Sequence, residues 1–211
     1  MTEKAAYTRD IIKRLERAYP DARIALHFSN PLELLVAVIL SAQSTDVGVN
    51  KLTPALFARY HSAADYANAD TAELEKLIHS AGFYHNKAKS ITGAARVMLE
   101  KFGGQVRRTM ADIITLPGVA RKTGNIVLYN AYGVVEGIPV DTHVRRVSQR
   151  LGLTEQTDPE KIEKDLMDVV PRSKWGTFSY LLIDLGRDVC IARKPRHEKC
   201  VLKDICPSAH I

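Results

Sequence analysis

All three cysteines of the chain lie in one short segment near its carboxyl-terminal end, and a histidine accompanies them. Cys190, His197, Cys200 and Cys206 are separated by six, two and five residues. Three thiolates and one imidazole complete a closed tetrahedral metal shell, and ligands this close in sequence can all come from one loop. The spacing therefore predicts a metal site, and the alternative is three buried structural cysteines beside a solvated histidine.

Basic residues alternate with these candidate ligands. In residues 187–206, six of them outnumber the three acidic residues Asp188, Glu198 and Asp204. The basic six are Arg187, Arg193, Lys194, Arg196, Lys199 and Lys203. The whole chain has a formal charge of +6 and a pI of about 9.2. Such a loop indicates a partner rich in phosphate groups.

A second candidate site is the segment Leu116–Gly124, which joins two helical stretches through a tight turn at Gly118. Glycine lets a backbone approach a ligand closely, and free amides at a helix amino terminus point toward anions. The segment therefore predicts a phosphate-binding turn. As a bare pattern it is also an ordinary connection between helices.

Lys122 falls in the first turn of the helix that follows this turn. It lies three residues after Val119 and four before Ile126, so it flanks the apolar face. We expect partial burial and the positive end of the helix to lower the pKa of its amine, and a neutral amine is a nucleophile. The alternative is a solvated surface lysine.

Asp141 precedes another helical segment, in Val140–Val144. A carboxylate in this position predicts a helix N-cap. Near a nucleophilic lysine it would also stabilise positive charge developing on a sugar ring or help to deprotonate the attacking group. The two roles are compatible.

The elements around these residues are predicted to be helical almost throughout, since strand-like alternation is nearly absent. We predict an all-α protein of about ten helices. Asn30 and Asp70 begin two of them as N-caps, ending near Leu40 and Ser80. The other internal helices are expected at about 45–59, 85–102, 108–115, 119–132, 141–151, 158–169 and 174–188.

Composition excludes several classes of protein. The 211 residues are 45% hydrophobic and 26% charged, which is typical of a globular fold. The longest apolar run, Leu34–Leu40, is far shorter than the roughly 20 residues that cross a bilayer. The polar start, Met1–Lys4, resembles neither a signal nor a transit peptide. We therefore expect a cytoplasmic protein with no membrane partner.

Taken together, these segments resemble the endonuclease III family of the helix-hairpin-helix superfamily, whose members are DNA glycosylases and abasic-site lyases. The resemblance extends almost from end to end. Its motifs are Pro31–Gln43, Thr45–Asp46, Leu116–Val119, Arg121–Thr123, Val140–His143 and Cys190–Arg196.

The resemblance implies a two-lobed helix-hairpin-helix DNA glycosylase fold that binds double-stranded DNA. We expect a monomer, since a DNA groove between the lobes needs no second copy. A six-helix barrel domain would span 24–135, and a second lobe would combine 1–23 with 136–211, including the metal loop 190–206. The resemblance places the nucleophile at Lys122 and its carboxylate partner at Asp141. The implied DNA-binding residues are Gln43, Phe83, His85, Pro117, Gly118, Val119, Ala120, Arg121, Arg193 and Lys194.

The implied reaction is excision of oxidised pyrimidines followed by cleavage at the abasic site. Gln43 and the loop 82–86 would fill the space left by the extruded base, although Phe83 is also a candidate core aromatic. The Lys122 amine would displace the base, form a Schiff base and permit β-elimination. No acidic cluster suggests a magnesium site.

Two positions depart from the family pattern. The family loop holds a [4Fe–4S] cluster with four cysteines, and His197 replaces the second of them. A cluster with one imidazole ligand is favoured, a Cys₃His zinc site is the alternative, and a loop held by packing alone is a third. Ala120 replaces the second glycine of the hairpin, which is tolerated where φ is negative.

These departures leave two other functions open. One is a DNA-binding or damage-sensing module with impaired catalysis. The other is a monofunctional glycosylase for mismatched bases, which would release a base without cutting the strand. Lys122 favours the bifunctional enzyme, and so does the lack of any acidic residue in 34–40, where the adenine-specific branch has a catalytic glutamate.

Overall fold

The computed structural model describes residues 3–209, and in this range the chain is helical, with no strand. The α-helices are α1 (Glu3–Ala18), α2 (Pro31–Ser41), α3 (Asp46–Arg59), α4 (Ala63–Ala67), α5 (Thr71–Ile78), α6 (Tyr84–Phe102), α7 (Met110–Ile113), α8 (Arg121–Tyr132), α9 (Thr142–Arg150), α10 (Pro159–Val169) and α11 (Trp175–Asp188). Short 3₁₀ turns cover His79–Ala81, Arg172–Lys174 and His197–Lys199. The all-α prediction is confirmed.

The chain divides into two compact units. One unit is 25–134, and the other combines 1–24 with 135–211. The second lobe predicted from the sequence also includes residues 1, 2, 210 and 211, which lie outside the described residues. None of the described helices is long and apolar enough to cross a membrane.

The unit 25–134 is built around α2. All seven residues from Leu34 to Leu40 are buried, and α2 packs against α3, α6 and α8. Asn30 caps α2 as predicted, because its Oδ1 accepts a hydrogen bond from Glu33 N at 2.9 Å, and Pro31 occupies the first turn. An apolar helix of this kind needs neighbours on every side, which explains its central position.

The other unit has its own hydrophobic core. Ile11 and Leu15 of α1 pack there with Val147 of α9 and with Phe178 and Leu182 of α11, and all five side chains are fully buried. The three cysteines lie at the edge of this core and are partly buried against it. The metal loop is therefore continuous with the core of its own unit.

Candidate functional site

The predicted phosphate-binding turn is a tight turn between α7 and α8. Gly118 has a φ of 78°, and Val119 N donates to Leu116 O at 3.1 Å to close the turn. Pro117 and Gly118 are exposed, whereas Val119 is buried at 6% exposure. The turn therefore presents backbone to solvent and is anchored by one apolar side chain.

Ala120 is the N-cap residue of α8. Its φ of −90° is negative, which confirms the expectation that alanine fits this position without strain. Its side chain has no hydrogen-bonding group, so α8 begins without a side-chain cap. Amides in the first turn of an uncapped helix are donors for an anion, and the helix dipole adds to that preference.

Lys122 lies in the first turn of α8, and its side chain is exposed in the free protein. The partial burial predicted for this lysine is therefore wrong. Lys122 flanks the apolar face, as its spacing predicts, since Val119 is buried and Ile126 is partly buried.

Asp141 caps α9, as its position predicted. Its Oδ1 accepts a hydrogen bond from Val144 N at 2.7 Å, and the residue is partly buried. The cap fixes the carboxyl group against the helix start. Its orientation is therefore set by backbone geometry and not by a flexible side chain alone.

Gln43 and Phe83 each lie on a loop next to a helix of the unit 25–134. Both have a positive φ, 55° and 50° respectively, which is uncommon for residues other than glycine. Both are exposed, Phe83 to 65%. Phe83 is therefore not a core aromatic. His85 is exposed too, and its Nδ1 lies 2.7 Å from Glu75 Oε1.

The metal loop brings the predicted ligands to one pocket. Cys190, His197, Cys200 and Cys206 all line it, together with the cationic side chains of Arg150, Arg196 and Lys203. Within 3–209, no three side chains of histidine, cysteine, aspartate or glutamate meet closely enough to hold a single metal ion. Arg193 and Lys194 are exposed on the same loop.

The donor set in this pocket fits a bound cationic centre. Burial raises the pKa of the Cys200 thiol, and the neighbouring Cys190 and Cys206 raise it further. Thiolates crowded in this way repel one another unless a positive centre binds them. The three cysteines and His197 would hold an iron–sulfur cluster, which would cross-link the loop 190–206.

Arg150 is a residue of this site that the sequence analysis missed. Its guanidinium donates to Ile191 O at 2.8 Å and Ala192 O at 3.0 Å, and it lies 3.3 Å from Cys190 Sγ. Nothing in its local sequence distinguishes it, because its partners are 40 to 42 residues away.

Lys87 was missed as well. It is 5% exposed and belongs to the buried face of α6. Its spacing along the helix is a signal that could have identified it. The residue lies four positions before Ile91 and seven before Ala94, which is the helical spacing of that face.

Two segments of the sequence match models of known protein families. Residues 36–172 match the model of the HhH-GPD superfamily base excision DNA repair protein, and residues 190–206 match the iron–sulfur binding domain of endonuclease III. The chain is 52% identical to the endonuclease III of Synechocystis sp. over 209 residues, which is 99% of this chain and 95% of that protein. The chain belongs to the endonuclease III family.

Solved structures agree with this assignment. One similar structure is a trapped endonuclease III–DNA covalent intermediate in an estranged-adenine complex. Its protein chain is 40% identical to this one with a TM-score of 0.92, and the match covers 99% of this chain and 98% of that chain. A thermostable thymine-DNA glycosylase is 26% identical with a TM-score of 0.85, and the match covers 96% of each chain. The two-lobed helix-hairpin-helix glycosylase fold predicted from the sequence is confirmed.

Proposed function

We propose that this base-excision-repair DNA glycosylase, whose family has abasic-site lyase activity, removes oxidised pyrimidines from double-stranded DNA through a Schiff base at Lys122. The observation that supports the proposal is the place of this lysine. It is exposed in the first turn of α8, directly after the turn at Gly118 and an uncapped helix start. A phosphate bound at the first-turn amides brings deoxyribose near the amine.

The proposed chemistry begins with extrusion of the damaged base, which costs least for a poorly stacked lesion. The neutral Lys122 amine attacks the sugar C1′, and the C1′–N bond breaks as the base leaves with its bonding electrons and takes up a proton. The ring then opens to a protonated Schiff base. Loss of a C2′ proton and cleavage of the C3′–O bond complete β-elimination.

The exposure of Lys122 places a condition on this mechanism. In the free protein Lys122 is exposed to water. Bound DNA would exclude that water, and a carboxylate would accept the ammonium proton. We assign that role to Asp141, whose Oδ1 is already held by Val144 N at 2.7 Å.

The proposed DNA contacts divide into two kinds. Gln43 and Phe83 are exposed beside α2 and α6, where their side chains would enter the base stack. His85 is exposed as well, and it would have to leave its contact with Glu75 to join them. Arg193 and Lys194 are exposed cations that would neutralise phosphates, in a way that weakens as salt rises. The hairpin amides would add phosphate contacts that depend less on salt, because a backbone N–H carries no net charge.

Covalent trapping tests the reaction directly. A duplex with a single abasic site is incubated with the protein and borohydride, which reduces a Schiff base to a stable crosslink. We expect a crosslinked species with the native protein and with Lys89→Ala, an exposed lysine of α6 that serves as control. Lys122→Ala should give none. A native protein that forms no crosslink would contradict the proposal.

Two other functions predict different results in the same experiment. A catalytically impaired DNA-binding module would bind the abasic duplex without a crosslink. A monofunctional glycosylase, which the likeness to a thymine-DNA glycosylase favours, would release base from a mismatched duplex and leave the strand intact. The exposed lysine after the hairpin supports the bifunctional reaction, because the Schiff base of that reaction needs a primary amine.

We further propose that the iron–sulfur cluster of this family is a [4Fe–4S] cluster held here by Cys190, Cys200, Cys206 and the imidazole of His197. Imidazole is a known substitute for thiolate in iron–sulfur ligation, and it leaves the cluster with one fewer negative charge. His197 lines the same pocket as the three cysteines, which supports this assignment. A Cys₃His zinc site is the alternative.

Metal analysis separates the two assignments. The purified protein should be brown, with broad absorbance at ~400 nm and matched iron and sulfide content. His197→Cys should keep the cluster, whereas His197→Ala should lose it or bind it weakly. A colourless native protein with stoichiometric zinc would reverse the assignment.

A further inference from the structure

Lys87 is a buried lysine on the face of α6 that packs inside its unit. It is 5% exposed. Lysine is almost never buried without partners, because removing an ammonium group from water is costly. That burial lowers its pKa, which is the expected sign of an ammonium held in a poorly solvated place. A residue in this position needs partners that repay its burial.

The Lys87 ammonium joins two loops that are distant in sequence. Its Nζ donates to Ser44 Oγ at 2.9 Å, and it also donates to Ala81 O. The Ser44 hydroxyl donates to the same Ala81 oxygen. These three groups form a closed triangle between the loop after α2 and the 3₁₀ turn before α6.

Each of the two joined loops has a left-handed residue beside the triangle. Gln43, with a φ of 55°, directly precedes Ser44. Phe83, with a φ of 50°, lies two residues after Ala81 and directly after Gly82. Such conformations persist only where surrounding contacts hold them, and they concentrate at functional sites.

We propose that Lys87 is a positioning residue that holds the Gln43 and Phe83 loops in one fixed arrangement, so that both side chains enter the DNA stack together. The proposal rests on the function proposed above, in which these two residues fill the space of the extruded base. Insertion must compensate the loss of base stacking, and a wedge that is already ordered avoids an entropy cost on binding.

The chemistry of the triangle requires a donor at position 87. The Ala81 oxygen accepts from both Lys87 and Ser44, so neither a carboxylate nor an apolar side chain would replace the ammonium. Lys87→Met keeps the length and packing of the side chain and removes the donor. It also removes the cost of burying a charge, so we expect the variant to fold.

Binding to two duplexes tests the proposal, and the control is Lys89→Met, which removes an exposed lysine from the same helix. One duplex has a non-reactive abasic analogue, and the other is undamaged. We expect Lys87→Met to weaken binding to the abasic duplex by about 10- to 100-fold, because a displaced wedge no longer matches the gap. Binding to the undamaged duplex depends on phosphate contacts and should change by less than about 3-fold.

A fluorescent base reports the wedge itself. With 2-aminopurine next to the abasic analogue, the native protein and Lys89→Met should raise the fluorescence by unstacking that base, and Lys87→Met should raise it less. Ser44→Ala should reproduce part of the loss. In the double variant, the fluorescence increase should fall by less than the sum of the two single reductions. The effects are not additive because both side chains donate to the Ala81 oxygen.

Two results would overturn the inference. Lys87→Met could keep the native preference for the abasic duplex and the native fluorescence change. Alternatively, it could lose affinity equally for both duplexes, which would indicate a general structural role. Neither measurement involves catalysis, so failure of the proposed reaction appears separately, as a native protein that forms no borohydride crosslink.

Discussion

Gly118 lies directly against Ser90, so the hairpin turn rests on α6. A Cβ added at Gly118 would stand 2.7 Å from Ser90 Cβ and 2.9 Å from Ser90 Oγ, distances that real side chains do not adopt. The neighbouring Pro117 packs on Gly93 of the same helix, where an added Cβ would meet its ring at 3.2 Å. One helix therefore supports both the hairpin and, through Lys87, the loop of Phe83.

Gly118→Ala should weaken binding to DNA. A positive φ costs an alanine about 1–2 kcal/mol, and here the clash with Ser90 adds to that cost by pushing the turn away from α6. Gly133→Ala is the matched control, because its φ is 66° and an added Cβ meets nothing within 4 Å. We expect both variants to lose stability in denaturant unfolding and only Gly118→Ala to lose DNA affinity.

A second substitution checks the cause of that loss. Ser90→Gly removes the atoms that a new Cβ at position 118 would meet. The double variant should therefore recover DNA affinity relative to Gly118→Ala, although a glycine inside α6 will lower stability by about 0.5–1 kcal/mol. No recovery would mean that conformational strain at Gly118, and not contact with Ser90, determines the effect.

Arg150→Gln should loosen the metal loop. The native guanidinium donates to Ile191 O and Ala192 O and lies 3.3 Å from Cys190 Sγ, so it fixes the backbone that follows the first ligand. Loss of such outer contacts typically lowers metal affinity by about 10- to 100-fold. Iron release to a chelator, followed by absorbance, should be faster than in Arg145→Gln, which changes an exposed arginine of the same helix. Equal release rates would contradict the role of Arg150.

The helix boundaries were largely predictable, because local rules determine them. Asp70 caps α5 through a hydrogen bond from Glu73 N at 2.9 Å, and the pattern of one polar cap before an apolar stripe is visible in the sequence. The short helix α4 was missed. Its five residues are too few for a hydrophobic period, although Ser62 and Asp65 form the capping box that marks its start.

The environment of the site residues was less predictable. Spacing gives the angle at which a side chain leaves a helix, and it says nothing about what covers that side. Lys122 and Lys87 illustrate this limit of prediction from spacing. Both lie at or beside the apolar face of a helix, yet Lys122 is exposed and Lys87 is buried. Lys87 is buried through tertiary contacts with Ser44 and Ala81, which lie on segments that its own helix pattern does not reveal.

Asp141→Asn should separate the capping role from the chemical role of this residue. Asparagine caps a helix about as well as aspartate, so the free energy of unfolding should change little, whereas loss of the carboxylate should slow crosslinking and strand cleavage. Asp158→Ala is the control, because Asp158 caps α10 through Glu160 N and Lys161 N. That variant should lose about 1 kcal/mol of stability and keep its activity. An Asn variant with native rates would contradict the proposed role of Asp141.

The stability of the protein should depend on pH through Lys87. Burial lowers the pKa of its ammonium in the folded state below the ordinary 10.5, so between the two values the unfolded chain binds more protons than the folded one. The free energy of unfolding therefore rises with pH across that window, and below it the full cost of burying the charge is present.

Comparison with Lys87→Met isolates this contribution. Urea unfolding from neutral pH to about pH 10.5 should show the native protein gaining stability relative to Lys87→Met as the pH rises through the window. Lys89→Met controls for removal of one positive charge from the same helix. A native-minus-variant difference that stays constant or falls with pH would show that the Lys87 ammonium is not destabilised by its burial in the folded protein.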